Sequence, residues 1–548
     1  MKHACLFAAL LLASAAQAQT STLNRPYDPV VLTGASLPAY ASLAPASIVG
    51  FQFKAGAWRQ IPVQVDERAL LDIVTPYGSA ATGTAYPPAA TNPRVLFYCD
   101  ASTKVGADAT ATFDADDELV FMVADAGGRA TGQAAPAGVV TGSGYEIAVT
   151  DPLGGLGYVY LFQSAGALVP GAGVSYLTYT SNLATTAGFP VNFNGTNAEN
   201  TTISTARYSW HFAAEWVSDE LKLAVGTNTD ILDRHKNFFA DGFCGRSEDT
   251  FSDAENAFIV AKAGPVRVIR SLLGANSGPL TQRTNIFYAG RQDISSDLRV
   301  HNIPSIVDAF DYSPAASGMT YRNNLNLNGV TVNGQPDQVT LGDLTWEQVS
   351  GAPGTLSILH SRTTDLTTAD AIITSYYDDN SAAPASTCTG DGQAWGTSGV
   401  RVLFPGSACT DPLPAAGCGT ASASFHSLRF TRTLYVDAPT APASTAATYH
   451  QQRLNPLQVT AATYSTLATA PAAATFITSL YPNPATAGRV LVQAAQACQL
   501  RVYNALGQPV ATQDVPAGTH ELTVSATGLL LFVFTSEAGQ QVFRQVMR

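Results

Sequence analysis

The sequence predicts an all-β, multi-domain protein made of β-sandwiches, with an immunoglobulin-like domain at the C-terminus. Its apolar residues occur in short runs rich in Val, Ile, Phe and Tyr, and 45 glycines and 31 prolines punctuate the chain. Short strands bounded by turn residues are typical of β-rich proteins, and long helical periodicity is nearly absent. At 548 residues the chain is longer than one ordinary domain, so several domains are expected.

The charge of the chain excludes one class of function. The formal net charge is −12 at pH 7, and Lys and Arg form no cluster. Nucleic-acid binders carry basic patches because they must neutralise phosphate groups. We therefore expect no nucleic-acid partner.

Residues 1–18, "MKHACLFAALLLASAAQA", have the order of a secretory signal peptide: a basic start, an apolar stretch and a small-residue A-x-A end. The apolar part is too short to span a membrane, and no later stretch is long enough to do so. We therefore expect cleavage before Gln19, no transmembrane segment, and a protein that is secreted or placed on the cell surface through the periplasm.

Export changes what the cysteines imply. Removal of the signal peptide with Cys5 leaves an even number of cysteines in an oxidising compartment, where disulfides persist. The short proline-rich loop between Cys409 and Cys418 makes that pair the easiest to close, although many connectivities remain open. The six cysteines expected to be oxidised are Cys99, Cys244, Cys388, Cys409, Cys418 and Cys498.

The first predicted domain, residues 19–180, is a β-sandwich. It begins with a hairpin in which Phe51 and Phe53 share one face, the turn falls at Ala55 to Ala57, and the return strand runs through Trp58 to Val65. The segments "IPVQVDER" and "FDADDELVFMVAD" resemble the N-terminal sandwich of secreted polysaccharide-active proteins with a galactose-mutarotase-like supersandwich. That resemblance implies a carbohydrate-related protein and carries no catalytic motif.

A carboxylate-rich turn lies inside this domain. Calcium prefers several carboxylate or carbonyl oxygens, so the turn predicts a structural calcium site, and no other cofactor is expected. The EF-hand glycine and the closing Glu are absent, and a solvated acidic turn is the alternative. The four candidate ligands are Asp114, Asp116, Asp117 and Glu118.

The second predicted domain, residues 181–462, is β-rich and holds most of the chemically distinctive side chains. On the strand "ARYSWHF", Tyr208, Trp210 and Phe212 share one face, and His211 lies on the other. A polysaccharide lyase needs a cation or an amide to neutralise a uronate carboxyl group and a base to remove the neighbouring proton. The predicted catalytic residues are His211, Arg234, His235 and Tyr208, and the predicted substrate-binding residues are Arg283, Arg299, His301 and Trp210.

Other chemistries and roles stay open. A glycoside hydrolase needs two carboxylates at a set separation, and the block offers several, but an esterase is not indicated because no G-x-S-x-G motif occurs. The run from Asp233 to Lys236 can also be a solvated turn, since charge runs are usually exposed. The candidate hydrolase carboxylates are Glu215, Asp219, Glu220, Asp230 and Asp233.

An Ala, Thr and Pro tract, residues 463–475, follows a predicted short helix from Ser444 to Leu454 and is expected to be a linker. Beyond it, residues 476–548 alternate apolar and polar positions in short runs separated by glycines, the pattern of a small antiparallel sandwich. "YPNPA", "LRVYNALGQPV" and the closing "GQQVFRQVMR" resemble the C-terminal sorting domain of the bacterial type IX secretion system. One departure is "GLLLFVF", where members of that family commonly carry a Tyr after the glycine.

The resemblance implies a preprotein that crosses the inner membrane and then the outer membrane, with the type IX secretion machinery as the partner that binds the tail. The cargo ahead of the tail is expected to act on polysaccharide, in the manner of a lyase. The alternative is a non-catalytic cell-surface or carbohydrate-binding structural protein, because aromatic and arginine-rich loops serve either role.

Deletion of Leu480 to Arg548 should leave the cargo in the periplasm, because the machinery would lose the segment that it recognises. Cell fractionation measures this, and intact mass should place the N-terminus of the processed protein at Gln19. Export that continues unchanged after the deletion would contradict the assignment of the tail.

Overall fold

The structure is a computed structural model of the chain. The residues that it describes are 20–72, 94–101, 105–172, 174–181, 200–213, 217–238, 258–274, 278–299, 305–364, 366–382, 390–404, 427–465, 476–485, 488–505, 507–536 and 539–548.

The predicted all-β, multi-domain architecture is confirmed. Contacts divide the chain into two compact units: unit 1 contains residues 1–130 and 135–464, and unit 2 contains residues 131–134 and 465–548. The boundaries proposed from the sequence at 180 and 462 stay predictions. No helix in the described part of the chain is both long and apolar enough to cross a membrane.

The strands of the N-terminal part of unit 1 are short, and most join in antiparallel sheets. Three-residue 3-10 turns occur at Gly34–Ser36, Pro38–Tyr40, Pro45–Ser47 and Val123–Asp125. The strands are β1 (Pro29–Thr33), β2 (Ile48–Lys54), β3 (Ala57–Ile61), β4 (Gln64–Asp66), β5 (Arg68–Asp72), β6 (Arg94–Tyr98), β7 (Glu118–Met122), β8 (Tyr145–Thr150), β9 (Leu156–Gln163) and β10 (Leu177–Ser181).

The predicted aromatic hairpin is present. β2 and β3 pair with Phe53 opposite Trp58, and the turn residues Ala55 and Gly56 have φ angles of 52° and 77°. Positive φ at both central positions is the geometry of a tight two-residue hairpin turn. The return strand ends at Ile61, earlier than expected, and β4 pairs with β7 in another sheet.

The rest of unit 1 consists of longer strands and one described α-helix. A 3-10 turn occurs at Pro314–Ala316. The elements are β11 (Thr201–Thr205), β12 (Tyr208–Phe212), β13 (Ser218–Leu223), β14 (Leu232–Phe238), β15 (Phe258–Ala263), β16 (Val268–Gly274), β17 (Gly278–Phe287), β18 (Arg291–Arg299), β19 (Ser305–Tyr312), β20 (Thr320–Asn323), β21 (Asn326–Thr331), β22 (Trp346–Gly351), β23 (Gly354–Thr364), β24 (Ile372–Asp378), β25 (Thr397–Leu403), β26 (Ser427–Asp437), α1 (Ala443–Leu454) and β27 (Gln458–Thr463).

The helix predicted from Ser444 begins one residue earlier, at Ala443, and Pro442 holds the N-cap position without a side-chain cap. Proline suits a helix start because it has no N–H group that would need a partner there. After the helix, β27 pairs with β8, in a five-stranded sheet of order β27-β8-β9-β2-β3. The end of unit 1 therefore completes a sheet that begins in its N-terminal part.

Three sheets surround the predicted site residues. Sheet A has the order β10-β11-β12-β13, sheet B the order β14-β19-β25-β24, and sheet C the order β15-β16-β17-β18-β26-β23-β22-β20-β21. Trp210 of sheet A lies with its ring centroid 5.9 Å from Phe310 of sheet B and 6.2 Å from Phe287 of sheet C. One hydrophobic core therefore holds the three sheets together.

Unit 2 is a two-sheet arrangement whose core matches the predicted alternation. Its sheets have the orders β28-β29-β32 and β31-β30-β33-β34, and both contribute side chains to one buried cluster, including Val490, Val492, Leu500, Val502, Leu522 and Val524. The strands are β28 (Ile477–Tyr481), β29 (Arg489–Ala494), β30 (Cys498–Tyr503), β31 (Pro509–Val515), β32 (Gly518–Thr523), β33 (Gly528–Ser536) and β34 (Gly539–Met547).

Two of the cysteines expected to be oxidised, Cys99 and Cys498, are free and buried. Burial raises the pKa of Cys99 to about 11 and also raises the pKa of Cys498, because a thiolate loses solvation there. The pair Cys409 and Cys418 lies outside the described residues, as do Cys244 and Cys388. Disulfides among those four cysteines stay a prediction.

Thiol titration tests the redox state that follows. In the folded protein Cys99 and Cys498 should react slowly, because each is buried and protonated at neutral pH. After denaturation without reductant, two thiols per chain should react if the other four cysteines are paired. A Cys99→Ala, Cys498→Ala variant serves as the control and should show none, whereas four additional reactive thiols would contradict the predicted disulfides.

Candidate functional site

Strand β12 separates its side chains as predicted, with Tyr208 and Trp210 in the core and His211 at the surface. The Tyr208 hydroxyl donates to the carbonyl oxygens of Tyr288 and Arg291, at 2.9 and 3.1 Å. The Trp210 indole nitrogen donates to the Ser218 hydroxyl at 3.0 Å.

Burial of Tyr208 and Trp210 changes the part assigned to them from the sequence. Their relative exposure is 1% and 0%, and burial raises the pKa of Tyr208 well above its usual value. A phenol that stays protonated at neutral pH has no phenolate available to take up a proton. Both side chains serve the core here, and the surface chemistry of β12 rests on His211.

A β-bulge brings a carboxylate to His211. His211 pairs with Glu220 and Phe212 pairs with Ser218, so Asp219 is the extra residue on β13. Bulges redirect a side chain from the regular alternation of a strand. As a result, Asp219 Oδ1 lies 2.6 Å from Nδ1 of His211.

The other nitrogen of His211 also has a partner. Nε2 lies 2.9 Å from Oδ1 of Asn200, the residue before β11. The side chains of His211 and Asp219 are 23% and 22% exposed, so solvent and a dissolved ligand can reach them. Asp219 Oδ1 and Asn200 Oδ1 are both acceptors, so each ring nitrogen donates in this arrangement. Nε2 can act as a base only after it has lost its proton and the Asn200 oxygen has turned away.

Arg234 reaches the same carboxylate from sheet B. Its Nη1 lies 3.7 Å from Asp219 Oδ2, and its side chain is 24% exposed. The structure places Arg234 within β14, beside an irregularity in the pairing of β14 with β19. Asn200, His211, Asp219 and Arg234, which we call the His211 cluster, thus join a base, an amide and a guanidinium at one surface.

His235 does not belong to this surface. Its side chain is fully buried, with Nε2 2.7 Å from Asp308 Oδ1 and 3.1 Å from Arg432 Nη1. Burial, reinforced by the charge of Arg283, lowers the pKa of His235 to about 3. The histidine is therefore neutral and inside the protein, and the interpretation of this run as a solvated turn is wrong.

The remaining predicted substrate-binding residues do not join the His211 cluster. Arg283 is buried, and its Nε donates to the Ser296 hydroxyl at 3.0 Å. His301 and the side chain of Arg299 lie outside the described residues. Their predicted contacts with a substrate stay predictions.

The carboxylates considered for hydrolysis are held by other groups. Asp230 accepts from the backbone nitrogens of Leu221 and Leu232, and burial raises its pKa to about 6. Glu220 accepts from Lys222 and Asp233 forms an ion pair with Lys236, while Glu215 lies outside the described residues. Asp219, already in the His211 cluster, is the member best placed for chemistry.

The acidic turn proposed for calcium is held by arginines and backbone amides. Glu118 contacts Arg68 and Arg267, each at 2.6 Å. Asp117 is buried, and its two oxygens accept from the backbone nitrogens of Arg68 and Asp114, both at 2.9 Å. A hydrogen bond with Asp114 raises the pKa of Asp116 to about 6. These contacts occupy much of the turn, and calcium binding there stays a prediction.

A separate cavity of about 280 Å³ lies elsewhere in unit 1 and contains none of the predicted site residues. Arg25 and Arg291 line it and are paired with Asp151 and Asp28, at 2.6 and 2.9 Å. Arg453 also lines it and donates to the carbonyl oxygen of His360. The arginines that line this cavity thus already form ion pairs or hydrogen bonds within the protein.

Sequence reasoning missed Asn200, Asp308 and Arg432. Asp308 and Arg432 lie 73 and 197 residues from His235 along the chain, so no local pattern could join them. One signal was available: "SIVDAFDY" contains two carboxylates within an otherwise apolar run, and every residue of that strand is buried. A buried carboxylate requires a partner, which would have indicated a polar core.

No family model and no curated protein sequence matches the chain. Among solved structures it is similar to an α-mannosidase from Enterococcus faecalis V583, with a TM-score of 0.34 and 9% identity over 96% of this chain and 55% of that one. The chain therefore spans little more than half the length of the mannosidase.

Two other similar structures are a putative aldose 1-epimerase from Escherichia coli K12 and PorZ, a surface component of the type-IX secretion system of Porphyromonas gingivalis. The TM-scores are 0.18 and 0.13 and the identities 12% and 9%. The match to the epimerase covers 43% of this chain and 98% of the epimerase. The match to PorZ covers 72% of this chain and 63% of PorZ. Since every TM-score is below 0.5, these likenesses assign neither a fold family nor an activity.

The neutral His235 predicts an acid sensitivity of unit 1. The unfolded chain binds a proton below about pH 6.5, whereas folded His235 resists protonation down to about pH 3. The contribution of His235 to the free energy of unfolding should therefore decrease by roughly 1 kcal/mol for each pH unit below 6.5.

Urea unfolding followed by Trp fluorescence measures this effect in unit 1, since all five tryptophans of the chain fall within its residue ranges: Trp58, Trp210, Trp216, Trp346 and Trp395. The loss between pH 7 and pH 5 should be smaller in His235→Gln than in the wild type. His520→Gln in unit 2 is the control and should keep the wild-type loss. Equal losses in all three proteins would contradict the buried neutral histidine.

Proposed function

We propose that the protein is exported through the type IX secretion system and that unit 1 cleaves an acidic polysaccharide by β-elimination, the reaction of a lyase. The convergence of His211 and Arg234 on Asp219, with all three side chains partly exposed, carries this proposal. Those two residues belong to different sheets, so their meeting is a product of the fold and not of sequence proximity.

Neutralisation of the substrate carboxylate is the first requirement. The carbon next to a uronate carboxyl group becomes acidic enough to lose its proton only when the carboxylate charge is offset. Arg234 supplies a permanent positive charge, and the Asn200 amide supplies a hydrogen-bond donor when its nitrogen faces the ligand. Both lie beside His211 through the contacts described above.

His211 is the proposed base. With Nδ1 hydrogen-bonded to Asp219, and with the substrate having displaced the Asn200 oxygen from a deprotonated Nε2, that nitrogen accepts the proton from the carbon next to the carboxyl group. The electron pair forms a carbon–carbon double bond, and the glycosidic carbon–oxygen bond at the next carbon breaks. The leaving oxygen takes a proton from solvent, and His211 returns its proton to solvent. Asp219 is a positioning residue that orients the ring and stabilises its protonated form.

The alternative is a non-catalytic carbohydrate-binding or structural surface protein. It is favoured by the ion pair between Asp219 and Arg234, since a paired arginine can be part of an ordinary surface network. Tyr208, Trp210 and His235 also serve the core, which leaves fewer groups for chemistry. In that case the His211 cluster would bind acidic sugar without cleaving it.

The proposed export rests on the tail. The three segments that resemble the sorting domain contribute Ala485, Leu500, Val502 and Met547 to the buried core of unit 2. A compact terminal sandwich can be recognised separately from the cargo, in agreement with the role that the resemblance implies.

Purified mature protein should release unsaturated oligosaccharides from a uronic-acid polysaccharide, detected by ultraviolet absorbance and by new reducing ends. His211→Ala should lower kcat by about 10²–10⁴-fold because the base is lost. Arg234→Ala should lower kcat/KM by about 10²–10³-fold, because the developing negative charge loses its partner. Asp219→Asn should lower kcat and shift the pH profile, which a purely structural role would not do.

Lys222→Ala is the matched control, because Lys222 lies on the same strand as Asp219 and pairs with Glu220 outside the His211 cluster. Its activity should equal that of the wild type. Binding without product formation, with affinity lost in Arg234→Ala, would establish the structural alternative. Full activity in a His211→Ala, Arg234→Ala double variant would exclude this site.

A further inference from the structure

A lysine on β14 is buried against a carboxylate of the neighbouring strand. Lys236 Nζ donates to Asp311 Oδ2, and both side chains are 0% exposed. β14 and β19 are paired antiparallel, and Ala309, opposite Lys236, is also fully buried. The amine and the carboxyl group are thus held together away from water.

A second carboxylate touches the amine. Asp233 Oδ2 lies 3.2 Å from Lys236 Nζ. Asp233 itself accepts from the backbone nitrogen of Asp391, at 3.2 and 3.3 Å to its two oxygens, and lies near Arg234 on its own strand. Asp233 can therefore exchange a proton with Lys236 without moving.

The other oxygen of Asp311 is held by hydrogen-bond donors. Oδ1 accepts from the Trp395 backbone nitrogen at 3.0 Å and from the Thr397 hydroxyl at 2.5 Å. Two donors fixed on a carboxyl oxygen stabilise the negative charge that develops there when a nucleophile attacks the carbon. One oxygen of the Asp311 carboxyl group thus accepts two hydrogen bonds, and the other oxygen contacts the Lys236 amine.

We propose that Lys236 and Asp311 condense into an intramolecular isopeptide bond that joins β14 to β19, with Asp233 as the proton-transfer group. The inference is independent of the proposed lyase activity. It needs no oxidant, cofactor or second protein, because the three reacting side chains are already in contact.

The reaction balances within this group of residues. A proton passes from the lysine ammonium to Asp311 Oδ2, which leaves a neutral amine and a neutral carboxylic acid. The amine attacks Cγ of Asp311, and the charge develops on Oδ1. Asp233 takes a proton from the new C–N nitrogen and gives it to the Oδ2 hydroxyl, so that the carbon–oxygen bond breaks and one water leaves. The amide is neutral, and Asp233 is again a carboxylate.

Burial favours the neutral form of the carboxyl groups. A low-dielectric site penalises a carboxylate charge, and the neutral acid is the form that an amine attacks. Burial raises the pKa of Asp311 to about 6 and also raises the pKa of Asp233. Among the described residues, the charged or titratable groups near the pair include Asp233 from β14, with Asp391 and Arg234 beyond it, and Tyr312, which follows Asp311 on β19.

A metal site is the competing interpretation of the same residues. Carboxylate oxygens of Asp233, Asp311 and Asp391 lie within 4.8 Å of one another. Lys236 Nζ contacts two of those three carboxylates. Its ammonium group therefore already supplies the positive charge that a metal ion would bring to the cluster. A cluster that already holds an ammonium group has less affinity for a second cation.

Peptide mapping of the mature protein tests the bond directly. After denaturation, reduction, alkylation and trypsin digestion, residues 235–246 should be joined to residues 300–322, with the mass of one water missing and no cleavage after Lys236. The intact mass of the wild type should be lower by one water than that of its sequence, and Lys236→Arg should have the full mass. Asp233→Asn should also have the full mass, or condense far more slowly, because the proton-transfer group is lost.

Lys262→Arg is the matched control. Lys262 Nζ lies 3.8 Å from buried Asp66, with 14% of its side chain exposed, and the variant should still lack one water relative to its own sequence. Separate peptides 237–246 and 300–322 from wild-type protein, with cleavage after Lys236, would overturn the proposal. A cross-linked peptide that persists in Asp233→Asn at the wild-type rate would overturn the part assigned to Asp233.

Discussion

The arrangement of unit 1 depends on one buried cation, Arg432. It projects from sheet C, donates to the Asp308 carbonyl oxygen in sheet B, lies 3.4 Å from the Asp308 carboxylate, and stands 4.7 Å above the Phe310 ring. Breaking a buried pair of this kind typically costs about 3–5 kcal/mol, because the remaining charge has no water to solvate it. The two sheets can therefore close only in the register that satisfies Arg432.

The same register determines where the side chains of β14 lie. With His235 held between Asp308 and Arg432, the neighbouring Arg234 is directed to the surface, where it meets Asp219. Lys236, the residue after His235 in the sequence, is buried against Asp311. Of these three consecutive residues, Arg234 joins the partly exposed His211 cluster, His235 joins a buried polar network, and Lys236 pairs with a buried carboxylate. Nothing in the composition of the strand distinguishes their roles.

Features set by local pattern were the ones that the sequence predicted well. The alternation of β12, the aromatic hairpin around Phe53 and the spaced valines of unit 2 all follow from neighbours within a few residues. His235 was misjudged because exposure is the ordinary state of a charge run, and its partners come from distant strands. The link between His211 and Arg234 was expected, but the bulge at Asp219 that makes it was not, since a bulge depends on the partner strand.

The pairing of β27 with β8 joins residues near opposite ends of unit 1. Until Gln458–Thr463 emerges from the ribosome, β8 has no partner on one side, and an open strand edge attracts other chains. Contacts so distant in sequence also close slowly, because a long loop must first be ordered. The order of synthesis therefore keeps the N-terminal sheet incomplete until almost all of unit 1 has been made, so its open edge must be protected from other chains for most of that time.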